Sequence, residues 1–253
     1  MIDFEVDGRV AVITLDRPEA RNAINGAMAE AIEGAIDRLE ADDELWVGIL
    51  THNGPAFCAG ADLKEIAAGN RDALRTTRGG FGGIVLRERT KPLIAAVDGH
   101  AVAGGTEIAL SCDLRVASRD SVFGIPEVKR SLVAAAGGLV RLPRVLPPAI
   151  AMELALTGDT IGAERAHHFG MINDLCGPGE AVACARALAD RIVVNAPLAV
   201  RASRQLILDA PGQSDRDGMR AAGEAMVALS QTEDFAEGPR AFIEKRPAEW
   251  KGR

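Results

Sequence analysis

KPLIAAVDGHAVAGGTEIALSCD, residues 91–113, passes from an apolar run through a cluster of small residues into a second apolar run. KPLIAAV (91–97) reads as a strand that starts after a proline, as an edge strand allows. Gly104 and Gly105 mark the point where it hands over to a helix. The first N–H groups of such a helix have no partner in the chain, so they offer a site for an anion or a developing negative charge. One full charge, Glu107, falls in the first turn beside Ile108, Ala109 and Leu110. A first-turn acid is ordinary capping chemistry. It is also a carboxylate among apolar neighbours, which is costly to bury without a partner.

The same alternation extends to both sides. VAVITL (10–15) reads as a strand entered from the Asp7-Gly8 turn, and Met28, Ile32, Ile36 and Leu39 fall at helical spacing within 25–41. LWVGIL (45–50) and LRVA (114–117) read as further strands, so the chain has an α/β pattern to about residue 125. Beyond it, 152–158, 162–170, 181–193, 197–210 and 217–231 read as helices, each punctuated by Pro or Gly. The expected division is a core over 1–196 and a helical C-terminal region over 197–253, with the boundary near Ala196-Pro197.

Composition narrows the function. The 253 residues are 47% hydrophobic, enough for a sizeable core, and no apolar run approaches the ~18–20 residues that span a bilayer. MIDFEVDGRV carries acids early and no basic-then-apolar leader, and Cys58, Cys112, Cys176 and Cys184 are irregularly spaced. Together these read as a cytoplasmic protein with small buried thiols. The four histidines show no metal-ligand spacing, so no metal is expected. A net charge of −7 argues against nucleic acid as a partner.

A second glycine-containing turn, FCAGADL (57–63), follows LWVGIL. Neither turn is a phosphate loop, because GGTEIAL lacks Lys-Ser/Thr and AGGT is not GxGxxG. Two strand-to-helix turns with exposed N–H groups suit the two halves of an oxyanion hole, although glycine also serves any tight turn. A second acid, Glu127, follows Pro126 in the apolar SVFGIPEV (121–128). If the two carboxylates face one pocket, burial raises both pKa values and their proximity separates them, leaving one acid and one base. Spacing alone does not bring them together.

IAAVDGHAVAGGTEIALSCDL (94–114) resembles the signature of the enoyl-CoA hydratase/isomerase superfamily, the crotonases. The likeness extends through LDRPEARNAI (15–24), FCAGADLKEI (57–66), FGIPEVKRSL (123–132), AMELALTGDTIGAERA (151–166) and EGPRAFIEKR (237–246). It implies a crotonase-like α/β spiral of β-β-α repeats with a C-terminal helical trimerisation region, in a homotrimer or dimer of trimers. The partner it implies is an acyl-CoA thioester. No separate cofactor is implied, coenzyme A being part of the substrate.

Carried onto this sequence, the resemblance makes the N–H groups of Ala61 and Gly104 the oxyanion hole. Glu107 activates water and Glu127 supplies a proton. Arg21, backbone around Ala59, Ala61, Asp62 and Leu63, and Phe242 and Lys245 against a neighbouring subunit are implied to hold CoA. The implied reaction is reversible hydration of the 2,3 double bond of an enoyl-CoA, in fatty-acid or related acyl-CoA breakdown. An isomerase generally needs only one acid–base group. A carnitinyl-CoA dehydratase-like activity is the other alternative, since RLPRVLPPAIAMELALTG (141–158) resembles that subgroup. A quaternary ammonium favours an aromatic cage, and the chain has no Tyr and two Trp. A non-catalytic or RNA-binding member is disfavoured by both glutamates and by the net charge. KRSLVAAAGGLVRL (129–142) departs from the Pro-Gly-containing run many hydratases carry there, which leaves the acyl-pocket shape open. Lys129-Arg130 reads as a solvated pair.

Overall fold

In the computed structural model, which describes residues 1–253, the chain opens with a hairpin. β1 (Ile2–Asp7) and β2 (Val10–Leu15) pair antiparallel, with Gly8 at φ +58° in the turn between them. α1 (Gly26–Ala41) follows, its first turn capped by the Asn25 side chain accepting from Met28 N–H. Met28, Ile32, Ile36 and Leu39 form its buried stripe, as the spacing predicts. The buried Lys91 ammonium donates to Leu39 O (2.7 Å) and Asp42 O (2.6 Å), closing the C-terminal end of α1.

Three strand–strand–helical turns come next. The first is β3 (Val47–His52), β4 (Ala56–Cys58) and α2 (Leu63–Ala67), trailed by a small hairpin of β5 (Arg75–Thr76) and β6 (Gly80–Phe81). The second is β7 (Leu93–Val97), β8 (His100–Val102) and α3 (Gly104–Ser111). The third is β9 (Leu114–Ser118) and β10 (Val122–Gly124), leading to a 3-10 turn at Pro126–Arg130, then α4 (Gly138–Val145) and α5 (Pro148–Thr157). β11 (Thr160–Gly162), α6 (Ala163–His168), β12 (Asp174–Cys176) and α7 (Ala181–Val193) complete the core. α8 (Pro197–Asp209), α9 (Asp215–Leu229) and α10 (Glu233–Glu244) end the chain.

Each turn sends its first strand to one sheet and its second to another. The larger sheet runs β1-β2-β3-β7-β9-β12 and the smaller β11-β10-β8-β4. Pairing is parallel from β2 to β12 and from β4 to β10. This is the β-β-α spiral that the resemblance implies.

Both faces of the larger sheet are covered, which explains why LIAAV is apolar throughout. Leu93, Ala95 and Val97 face the main core with Leu50 and Ile13, while Ile94 and Ala96 pack with Ala181, Ala185 and Leu188 of α7. The expectation of an edge strand at 91–97 is therefore corrected. The strand starts at Leu93, so Pro92 stands outside the ladder and contributes only its carbonyl, accepting from Gly48 N–H. No helix is long and apolar enough to cross a membrane.

Candidate active site

β4 and β8 are neighbours in the smaller sheet, so the turns that follow them lie side by side. Gly60 sits at φ +90°, and a methyl group there would come within 2.9 Å of Gly104 N and 2.8 Å of Ala103 Cβ. Gly105 leaves still less room, since a Cβ would lie 2.0 Å from Cys58 O. These glycines are required because two backbones meet.

The first turn is held by Ile24, whose N–H donates to Gly60 O (2.8 Å) and whose carbonyl accepts from Asp62 N–H (2.9 Å). Ala61 N–H, between them, donates to nothing in the chain. Asp62 caps α2 by accepting from Lys64 N–H (3.0 Å) and pairs with Arg17 (2.8 Å). Burial alone would raise its pKa, but Arg17 and these N–H donors hold it below the usual carboxylate range.

In the second turn Ala103 takes φ +52°, ψ −129°, a conformation that L residues rarely adopt. It is fixed there by its N–H donating to Gly124 O (2.8 Å). The next N–H, that of Gly104, also has no acceptor in the chain. The Phe81 ring lies against Gly104, where a Cβ would be 2.4 Å from it.

Glu107 is 3% exposed, and it does not cap its own helix. Its Oε1 accepts from Ala136 N–H (2.7 Å) and Gly138 N–H (2.9 Å), in the segment between the 3-10 turn and α4. Burial pushes its pKa up, against the pull of those two N–H groups and of Arg141. Glu127, in the 3-10 turn, carries a buried Oε2 with no hydrogen-bond partner. Burial raises its pKa and the charge of Glu107 raises it further, while its own backbone N–H and Arg130 oppose this. The two carboxylates are thus near enough for the charge of Glu107 to act on Glu127. Glu107, with two donors, is suited to hold the charge, and Glu127 to hold the proton.

The remaining sequence-predicted residues fall into two groups. Arg21, Ala59, Asp62 and Leu63 lie beside the first turn, with Arg21 and Leu63 exposed. Ala59 N–H already donates to Arg21 O (3.0 Å) and Asp62 N–H to Ile24 O, so neither can bind a ligand through that group. Phe242 lies on α10 and Lys245 just past its end, at the far end of the chain, with Phe242 85% exposed. No hydrogen bond or ion pair joins them to the turns. Lys129 is exposed and pairs with Asp159 (2.7 Å), in keeping with a solvated residue. Cys58 and Cys112 are buried and Cys176 and Cys184 partly so, all as free thiols.

Sequence reasoning missed Arg17 and the N–H groups of Ala136 and Gly138. Only the glycine pair Gly137-Gly138 within KRSLVAAAGGLVRL (129–142) carried a signal for the last of these. A cavity of about 1500 Å³ lies elsewhere, between α8 and the ends of α3 and α4. Its lining includes Arg89, Arg141 and Arg204 but neither glutamate.

The sequence profile described as Enoyl-CoA hydratase/isomerase matches residues 5–253. The chain is 38% identical to the carnitinyl-CoA dehydratase of Salmonella heidelberg (strain SL476), over 98% of this chain and 97% of that protein. Its structure is similar to that of an enoyl-CoA hydratase from Mycobacterium tuberculosis H37Rv, with a TM-score of 0.96 and 48% identity. Enoyl-CoA hydratase EchA1 from Mycobacterium marinum gives the same TM-score at 50% identity. Both comparisons cover 100% of this chain and 99% of the other.

Proposed function

From the premise that this chain belongs to the enoyl-CoA hydratase/isomerase family, we propose that it adds water reversibly across the 2,3 double bond of an enoyl-CoA thioester. One observation carries the reading: Glu107 and Glu127 share a site but differ in hydrogen bonding, one holding two N–H donors and the other an unpartnered oxygen. A reaction that takes a proton from water and gives one to carbon uses both states at once.

The thioester oxygen accepts from Ala61 N–H and Gly104 N–H, the two donors left free where the turns abut. The Glu107 carboxylate takes a proton from water as its oxygen bonds to Cβ. The π electrons of the double bond shift toward Cα and the thioester, and the charge that gathers on the oxygen is met by the two N–H groups. Glu127 delivers its proton to Cα and the thioester is restored. Glu107 then releases its proton and Glu127 regains one, which closes the cycle. Losing one oxyanion donor typically raises such a barrier by about 3 kcal/mol.

The carnitinyl-CoA dehydratase alternative rests on the curated relatives. The ring that lies against the second turn is Phe81, while Phe123 is fully buried and Trp46 lies under Arg9. That arrangement offers no multi-ring cage for a quaternary ammonium, and it favours a neutral enoyl group. Exposed Met219, Met226, Val227 and Ile243 on α9 and α10 support assembly through the C-terminal helices into a homotrimer or dimer of trimers. In such an assembly Phe242 and Lys245 reach a neighbouring subunit's CoA.

The test is loss of the conjugated absorbance of crotonyl-CoA, with 3-hydroxybutyryl-CoA identified as product. Glu107→Gln and Glu127→Gln should each lower kcat by about 10²-fold or more. Near-normal rates in both variants would overturn the two-glutamate mechanism.

A further inference from the structure

We propose that Arg141 is a positioning residue for Glu107, clamping the short loop whose N–H groups hold that carboxylate. The inference rests on the hydratase reading above. The loop 131–137 has no helix or strand of its own, so its shape needs support from outside. Glu107 depends on that shape, because both of its donors, Ala136 N–H and Gly138 N–H, belong to the loop or its exit.

Arg141 lies one turn into α4 and its side chain folds back over the start of its own helix. Nη1 donates to Ala136 O (3.3 Å), the carbonyl between the two donor N–H groups, and Nη2 donates to Val85 O (2.6 Å). One planar guanidinium thus ties the loop to the segment that precedes β7. The fit explains Gly137, which takes φ +104° and where a Cβ would lie 2.1 Å from Arg141 Nη1. A lysine could reach one carbonyl but has no rigid fork to span both.

Charge adds to geometry. Arg141 forms no ion pair with any carboxylate, and burial, with the repulsion of Arg144 and Arg89, disfavours its charged form. Among the charged groups around Glu107, Arg141 favours its ionised form, and Glu127 is the facing carboxylate. Removing the cation therefore favours the protonated form of Glu107, and the base becomes available only at higher pH.

The experiment compares Arg141→Met, Arg141→Lys, Glu107→Gln and the double variant Glu107→Gln/Arg141→Met on crotonyl-CoA across pH. Arg141→Met should lower kcat about 10-fold with KM within about 2-fold, and move the acid limb of the kcat profile to higher pH. Arg141→Lys should leave that limb in place with a smaller loss. In the double variant kcat should stay within about 2-fold of Glu107→Gln alone, because Arg141 acts through Glu107. The proposal is overturned if Arg141→Met keeps wild-type kcat and limb, or if its loss adds in full to that of Glu107→Gln. It is also overturned if Arg141→Lys moves the limb as Arg141→Met does. Should Arg141→Met fail to fold, Arg141→Lys and its pairing with Glu107→Gln decide the matter by the same additivity. A wild-type rate in Glu107→Gln would instead sink the hydratase mechanism, a separate outcome.

Discussion

Gly60→Ala tests whether the two abutting turns form one oxygen-binding site. The new methyl group would stand 2.8 Å from Ala103 Cβ, 2.9 Å from Gly104 N and 3.3 Å from Val102 O. Carbon contacts settle at about 3.5–4.0 Å, so the turns must part by roughly 0.6–1.2 Å. Two of the three neighbours are backbone atoms and the third is a methyl group fixed to backbone, so no flexible side chain absorbs the strain. An oxyanion donor works within a few tenths of an ångström, and a shift of this size removes one of the pair, which costs about 10²–10³-fold in kcat. The left-handed φ adds about 1–2 kcal/mol of destabilisation, a fall of about 2–8 °C in Tm for a chain of this length. Gly69→Ala is the matched control. Gly69 has a similar φ of +82° but open space around its missing Cβ. It should show only the part of the Tm loss that comes from the left-handed φ, with kcat unchanged. Steady-state kinetics on crotonyl-CoA and thermal melts of both variants decide the question. A Gly60→Ala enzyme that keeps kcat within about 3-fold would refute the reasoning, for a broken oxyanion hole cannot be that mild.

Glu127→Gln should stabilise the fold while disabling it. The folded pKa of Glu127 is raised above the ordinary carboxylate value of 4.5, so the charged form is the disfavoured one. Below the unfolded pKa both side chains are neutral and the variant gains nothing. As pH rises through the folded pKa the wild type loses stability that the variant keeps. A higher Tm for the variant at pH 8 and no difference at pH 4 is expected, and the reverse order would contradict the burial argument. At the other end of the core, Lys91→Met strands the carbonyls of Leu39 and Asp42. Unfolding in urea should show a loss of about 1–3 kcal/mol, with kcat as in the wild type. An unchanged midpoint would mean that the ammonium contributes nothing to the end of α1.

Much of the candidate site could be picked out because its residues break a local rule. Glu107 and Glu127 are acids in apolar surroundings, and Gly104-Gly105 is a glycine pair at a helix start. The long strands were legible through apolar alternation, as in VAVITL. β4, β8 and β10 were not, because three residues carry no periodicity. The two-sheet spiral depends on those short strands, so its shape came from the family resemblance alone. Pro92 misled the edge assignment because a proline just outside a ladder looks the same in sequence as one that starts it. The donors to Glu107 were hidden for a different reason. They are backbone N–H groups of Ala136 and Gly138, about thirty residues away in a loop, and a backbone group leaves no mark on the side-chain pattern. Arg141 was read as part of a motif rather than as a clamp, since its partners are also carbonyls.

The spiral divides the work of the site among its successive turns. The first turn supplies the Ala61 N–H, the second the Gly104 N–H and Glu107, and the stretch after the third supplies Glu127. In the proposed mechanism, grip on the thioester and choice of reaction therefore belong to different parts of the chain. The acid after β10 and the loop from 128 to 140 lie outside the two turns that carry the Ala61 and Gly104 N–H groups, so either can change without altering those donors. On that division, a substitution in one coil can alter the acid–base chemistry while the oxygen-binding half of the site, carried by its neighbours, stays in place.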